Sequence, residues 1–103
     1  MKETQLNTRE LESAFAARIQ ETLQESKNLH YYPTRFEQML ADMGAVRLAK
    51  KLVISCDLQD GLKKIAKLGR KDLALESVIL EPRFATLFTD AEKEAATWRL
   101  SQL

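Results

Sequence analysis

Residues 71–80 read Lys-Asp-Leu-Ala-Leu-Glu-Ser-Val-Ile-Leu, and this stretch decides the fold. At about 100° per residue, its apolar side chains point in almost every direction around a helix. They are Leu73, Leu75, Val78, Ile79 and Leu80. A helix that is apolar on most sides belongs in the centre of a fold, so we expect the other elements to pack around it.

The residues before this central segment also predict a helix. Gly69 suits the position just after a helix end, and the helix that it closes is predicted from Leu58 to Leu68. Asp57 stands where the N-cap is expected. The apolar face of this helix would carry Leu58, Leu62, Ile65 and Ala66.

Two more helices are predicted after the central segment. Pro82 prevents smooth continuation from Leu80 and favours the first turn of a short helix that ends at Phe88. Thr89 and Glu92 form a capping box, which opens the last helix. Three residues line up on that last helix: Ala91, Ala95 and Trp98.

Two helices are predicted in the stretch 34–54. Thr34 followed by Glu37 indicates a second capping box. Gly44 suits the left-handed position that ends this helix, and the next helix would run from Ala45 to Ile54. The buried face of the first of the two would carry Phe36, Met39, Leu40 and Met43.

A longer helix is predicted at the N-terminus. Asn7 and Glu10 predict its capping box, with Thr8 as the alternative N-cap, and Lys27-Asn28 is its expected end. A single narrow stripe carries Leu11, Phe15, Ile19 and Leu23. The stripe could pack on its own domain or pair with a second copy, so residues 1–28 are a candidate pairing arm and residues 29–103 a compact helical domain.

The fold class that follows is all-α: a compact bundle of six or seven short helices with a longer N-terminal helix. The 103 residues are 45% hydrophobic and 30% charged, which is typical of one soluble domain. Helices this short depend on packing for their stability. One cysteine excludes an internal disulfide, and no apolar run reaches the roughly 18 residues of a membrane span. We therefore expect a cytoplasmic protein without membrane association.

The sequence offers little for catalysis. His30 and Cys56 are the only residues of their types, too few for a closed zinc site within one chain. The stretch from Asp57 to Gly61 fails as a calcium loop, because Cys56 and Lys67 would stand at its first and last ligand positions. No phosphate-binding glycine loop is present. We predict no enzyme activity, no catalytic residues, no cofactor and no metal, and no small-molecule substrate is evident.

The charges concentrate in the middle of the chain. Residues 47–71 hold eight basic and two acidic residues, although the whole chain has a net charge of only +1. Candidate contacts to nucleic acid or another anionic partner are Arg47, Lys50, Lys51, Lys63, Lys64, Lys67 and Arg70. If two adjacent helices meet through a tight turn, their lysine faces would merge in the outline of a helix-turn-helix. The alternative is that these lysines only keep the helices soluble.

The linker between the first two helices holds an aromatic pair. Tyr31 and Tyr32 are consecutive in an extended segment, so one faces inward and the other outward. An exposed tyrosine beside Arg35 would suit a protein contact. The alternative is that the pair only staples the linker onto the second helix.

A set of short motifs over about residues 29–100 resembles a small all-helical module of uncharacterised bacterial proteins, one that sometimes accompanies nuclease or defence domains. The motifs are Tyr32-Pro33-Thr34-Arg35-Phe36, Gln38-Met39-Leu40, Asp60-Gly61-Leu62, Gly69-Arg70-Lys71-Asp72-Leu73 with Glu76, and Leu87-Phe88-Thr89. The module has no established activity. The resemblance implies that Asp72 caps the central helix and that Arg70 pairs with Glu76 or another carboxylate.

The function predicted from the sequence is a non-enzymatic helical interaction module that binds a protein partner or itself. The alternative is a nucleic-acid-binding accessory protein that uses the basic helices of residues 47–71.

Overall fold

The structure, a computed structural model, describes residues 7–55 and 60–103. No described residue lies in a strand, and the predicted all-α class is confirmed, with the longest helix at the N-terminus. Two 3₁₀ segments, Lys71–Leu73 and Pro82–Leu87, lie between helices. The α-helices are α1 (Thr8–Asn28), α2 (Thr34–Met43), α3 (Ala45–Val53), α4 (Asp60–Lys67), α5 (Leu75–Ile79) and α6 (Asp90–Ser101).

Residues 71–80 lie at the centre as expected, but they are not one helix. Ala74 is extended, with ψ of 144°, and separates the 3₁₀ segment from α5. Asp72 lies within that 3₁₀ segment and caps nothing, so its predicted capping role is wrong. Ser77 Oγ instead donates to the carbonyl of Lys71 at 2.7 Å and ties the two pieces together.

The apolar stripe of α1 forms one side of the core. Phe15 and Ile19 are completely buried and Leu23 is nearly so. The stripe therefore packs on the chain's own domain, which is the first of the two alternatives. The Phe15 ring meets Phe84 and Phe88 edge to face, with ring centroids 5.2 and 5.3 Å apart. Burial of an apolar side chain of this size stabilises the fold by about 1.5–3 kcal/mol.

Two of the three predicted capping boxes are confirmed. Asn7 with Glu10 begins α1, and Thr89 with Glu92 begins α6. The box predicted at Thr34 is wrong, because the N-cap of α2 is Pro33 and no side chain caps it. Glu37 is instead paired with Lys27 of α1 at 2.8 Å, which holds α2 against α1.

Several predicted details of the other helices change. The fourth helix was expected from Leu58 and Asp57 was expected to cap it, but both residues lie outside the described part of the chain. On α6, Trp98 is half exposed, whereas Ala96 and Arg99 are buried. None of the predicted inward residues of α2 is fully buried.

Candidate binding cleft

The segment 31–39 and α4 enclose a cavity of about 720 Å³, which we call the cleft. Buried residues of α1 and of the stretch 73–76 line its floor. Exposed side chains, including Tyr32, Arg35 and Lys64, line its rim. A cavity of this size is within the range of ligand sites.

The end of α1 creates one side of the cleft. The chain turns there through two hydrogen bonds, from the N–H of His30 to Lys27 and from the N–H of Tyr31 to Ser26. These bonds define a Schellman motif, in which His30 takes the left-handed position with φ of 65°. The reversal directs the chain over the last turn of α1 into the linker and α2. The half-buried side chains of Phe36 and Met39 then line the cleft from α2.

Tyr31 joins the two sides of the cleft. Gly61 of α4 leaves room for its hydroxyl, since a Cβ built on Gly61 would lie 2.7 Å from the Tyr31 oxygen. The Nζ of Lys64, one turn further along α4, lies 5.8 Å from the centroid of the Tyr31 ring. A cation at that distance from a ring face is attracted to it.

Three polar side chains line the floor. Thr22 and Ser26 are buried on α1, and their hydroxyls donate to the carbonyls of Ile19 and Thr22 at 2.7 and 2.9 Å. Glu76 of α5 is the third, and only 3% of it is exposed. Most of the other residues that line the cleft near these groups are apolar, among them Leu23, Leu62 and Leu73.

A buried ion pair fixes Glu76. Its Oε2 accepts a hydrogen bond from Nε of Arg99 at 2.6 Å. The same guanidinium donates from Nη1 to the carbonyl of Ser55 at 3.0 Å. A buried charge needs such partners, so α5, α6 and the end of α3 are held together at the floor of the cleft.

The three residues predicted to contact a protein all line the cleft. Tyr31 is half-buried, Arg35 is exposed, and Tyr32 is 61% exposed. The linker thus leaves Tyr31 half-buried and Tyr32 exposed. Their location next to one cavity is a result of the α1 reversal and could not be derived from the sequence.

Three of the seven predicted anion contacts have partners within the chain. Lys50 is paired with Glu92 at 2.8 Å and lies over the Phe88 ring. Lys64 lies over Tyr31, as described above. Arg70 is paired with Asp72 and with Glu25 of α1. The resemblance implied a pair with Glu76 or with another carboxylate, and Arg70 pairs with these other carboxylates. The hydrogen bond from Arg70 is the main cause of the lowered pKa of Asp72.

The other four predicted anion contacts are exposed and have no ion pair with a described residue: Arg47, Lys51, Lys63 and Lys67. Helix α4 packs mainly against the 3₁₀ segment 71–73, whereas α3 packs against α1, α2, α5 and α6. The turn that would join α3 and α4 lies outside the described residues, so the helix-turn-helix outline stays a prediction.

The sequence did not identify the residues on the cleft floor as part of a site. The available signal was Glu76, which lies with Ser77 in the otherwise apolar stretch 73–80, where a buried carboxylate requires a partner. Arg99 gave no signal, because it follows an exposed Trp98 on a helix with many charges.

Groups that could carry other chemistry are few. His30 is exposed, and Cys56 lies outside the described residues. In the ranges 7–55 and 60–103, no group of three His, Cys, Asp or Glu residues could hold a metal ion. None of the helices in these ranges combines the length and the apolar character that a membrane crossing requires.

Comparison of the chain with protein-family models, with curated proteins and with solved structures gave no match.

Proposed function

We propose that this protein is a non-enzymatic interaction module and that its cleft binds a segment of a partner protein. The observation that carries the proposal is the cavity of about 720 Å³ between the segment 31–39 and α4. Its lining is mostly apolar and partly open to solvent, which suits side chains that a partner inserts.

The rim of the cleft supports binding of a protein. Tyr32 is among the most exposed large hydrophobic side chains described, and it lies on the rim beside Arg35. Tyrosine and arginine are enriched among the residues that contribute most to protein binding. Both lie next to the cavity, so an inserted side chain and a rim contact would reinforce each other.

The chemistry of the lining favours binding over catalysis. None of the described residues that line the cleft is His or Cys. The hydroxyls of Thr22 and Ser26 donate to backbone carbonyls, so neither donates to a general base as an activated nucleophile would. Glu76 is engaged by Arg99.

A selection of displayed random peptides on the purified protein tests the proposal. Peptides selected on the natural protein should lose about tenfold or more in affinity for the double variant Tyr32→Ala, Arg35→Ala. The matched control is Trp98→Ala, Arg47→Ala, which removes an exposed aromatic residue and an exposed arginine away from the cleft. Affinity for this control should be unchanged. Equal losses in both double variants, or a selection that yields no binder, would contradict the proposal.

A second copy of the chain is one partner that the cleft could take. Light scattering decides this case: a dimer that becomes monomeric in the Tyr32→Ala, Arg35→Ala variant would identify the partner as the protein itself. A monomer at all concentrations would leave a different protein as the partner.

The alternative function is binding of nucleic acid through the basic helices. Its support is the set of four exposed cations on α3 and α4 that have no ion pair with a described residue. Replacing all four with Gln should abolish retention on a mixed DNA and RNA pool, and retention by the natural protein should fall steeply with salt. Retention that the four substitutions leave unchanged would eliminate this alternative.

A further inference from the structure

The polar groups on the floor of the cleft can accept hydrogen bonds, but they have no proton left to donate. The hydroxyl protons of Thr22 and Ser26 are directed to backbone carbonyls. Their oxygens keep free lone pairs, and the carboxylate of Glu76 is an acceptor whenever it is ionised. A group that reaches this floor must therefore bring its own donor.

Glu76 is the strongest of these acceptors. Arg99 Nε donates to Oε2, whereas no described residue donates to Oε1. Every fully buried side-chain oxygen or nitrogen of the described residues has a hydrogen-bond partner, so Oε1 must keep some contact with the space outside the protein. The side chain is only 4% exposed and lines the cleft, which makes Oε1 the acceptor that the cleft offers.

The donor that suits Oε1 is neutral. A cation inserted into this mostly apolar cleft would lose its hydration, and one contact with a carboxylate that Arg99 already engages would not offset that cost. A neutral N–H or O–H adds a hydrogen bond without adding charge. An aromatic side chain with such a group also fills the apolar part of the cleft.

The rim of the cleft is positively charged, so it favours negative charge on the partner. Arg35 on one side and Lys64 on the other line the cleft, and both are exposed. On α4, Lys67 lies one turn beyond Lys64 and is exposed as well, so the positive charge continues outward from the rim. Carboxylates that flank the inserted side chain would be attracted to these cations.

We infer that the cleft selects an acidic segment of a partner protein that inserts one tryptophan-like side chain and donates its ring N–H to Oε1 of Glu76. This inference rests on the proposed function, for which it specifies the chemistry of the partner. Asp or Glu residues on both sides of the anchor then lie near Arg35 and Lys64.

Three small aromatic compounds test the inserted side chain, which we call the anchor. Indoleacetate carries both the ring N–H and a carboxylate, benzothiopheneacetate replaces the N–H with sulfur at nearly the same size, and tryptamine replaces the carboxylate with a cation. In NMR titrations of the labelled protein, indoleacetate should shift the amide signals of residues that line the cleft. The other two should bind about tenfold more weakly, since each lacks one of the two interactions. Equal affinity of indoleacetate and benzothiopheneacetate would overturn the inference.

Peptides test the flanking charges. A short peptide with one tryptophan between glutamates should bind more tightly than indoleacetate and at least tenfold more tightly than the same peptide with lysines. Arg35→Gln with Lys64→Gln should remove this preference, whereas Arg47→Gln with Lys51→Gln, an equal loss of charge away from the cleft, should retain it. A preference that survives the first pair of substitutions, or indoleacetate that binds as tightly as the peptide, would contradict the inference.

The two proposals fail separately. If selected peptides depend on Tyr32 and Arg35 but show no dependence on a ring N–H or on acidic flanks, the inference is wrong and the proposed function stands. If no peptide depends on the cleft, both are wrong.

Discussion

The Nε of Arg99 on α6 lies 2.6 Å from Oε2 of Glu76 on α5, and both side chains are almost completely excluded from water. This pair lies between the core and the cleft. It positions the Glu76 carboxylate on the cleft floor and, through the carbonyl of Ser55, fixes the chain just after α3.

The buried pair predicts a large loss of stability when one partner is removed. Arg99→Met leaves the Glu76 carboxylate buried without its cation and should lower the free energy of unfolding by about 3–5 kcal/mol. The control, Arg70→Met, breaks ion pairs that are much more exposed and should lower stability far less. Urea denaturation measures both. Similar losses of stability in the two variants would show that the buried ion pair contributes no more to stability than the exposed ion pairs of Arg70.

The left-handed residue that ends α1 predicts a gain in stability. His30 has φ of 65°, a conformation that costs a side-chain-bearing residue about 1 kcal/mol, so His30→Gly should raise the free energy of unfolding by up to that amount. The converse test is at the end of α4, where Gly69 has φ of 72° and Gly69→Ala should be destabilising. Thermal unfolding detects both changes. A destabilised His30→Gly variant would indicate that the His30 side chain makes a stabilising contact.

Glu92 predicts a pH-dependent contribution to stability. Burial by itself would raise the pKa of this carboxyl, but hydrogen bonds from Lys50 and from the backbone N–H of Thr89 outweigh it, and the pKa is lowered from its ordinary value of 4.5. A carboxyl with a lowered pKa stabilises the fold above its ordinary value. That contribution is lost as the pH falls through the folded-state pKa.

Substitution of Glu92 tests this dependence. Glu92→Gln should cost on the order of 1 kcal/mol at neutral pH, and the difference from the natural protein should shrink below pH 4.5. The control is Glu94→Gln on the exposed face of α6, which should leave stability nearly unchanged at every pH. A Glu92→Gln effect that is constant from neutral to acidic pH would contradict the assignment.

Gly61 and Tyr31 predict a coupled pair of substitutions. Gly61→Ala places a methyl group against the Tyr31 hydroxyl, so the tyrosine must shift and the cleft must change shape. In a Tyr31→Phe background the clash is absent, and Gly61→Ala should stabilise the protein by up to about 1 kcal/mol through helix propensity. A double-mutant cycle in urea measures the difference between the two backgrounds. Additive effects would mean that the hydroxyl does not press against α4.

The sequence alone located most of the helices because their signals are local. Asn7 with Glu10 and Thr89 with Glu92 specify two helix starts, and Gly44 after α2 has a positive φ of 82°, which favours glycine. The predictions at Thr34 and Asp72 failed because the helices begin at other residues: the N-cap of α2 is Pro33 and that of α5 is Ala74. The carboxylates of Glu37 and Asp72 form ion pairs with Lys27 and Arg70.

The pattern of residues by itself determined the helical class, the central place of residues 71–80 and the apolar stripe of α1, since each depends on periodicity within one segment. Only the tertiary structure placed that stripe against the chain's own core. Only the tertiary structure decided which charges are already used and where a cavity remains. Arg99 meets Glu76 across 23 positions of the chain and Lys50 meets Glu92 across 42. Such partners are chosen by how helices pack, and helical periodicity carries no information about that choice. For the same reason, the gathering of Tyr31, Tyr32 and Arg35 around one cleft is a property of the folded chain.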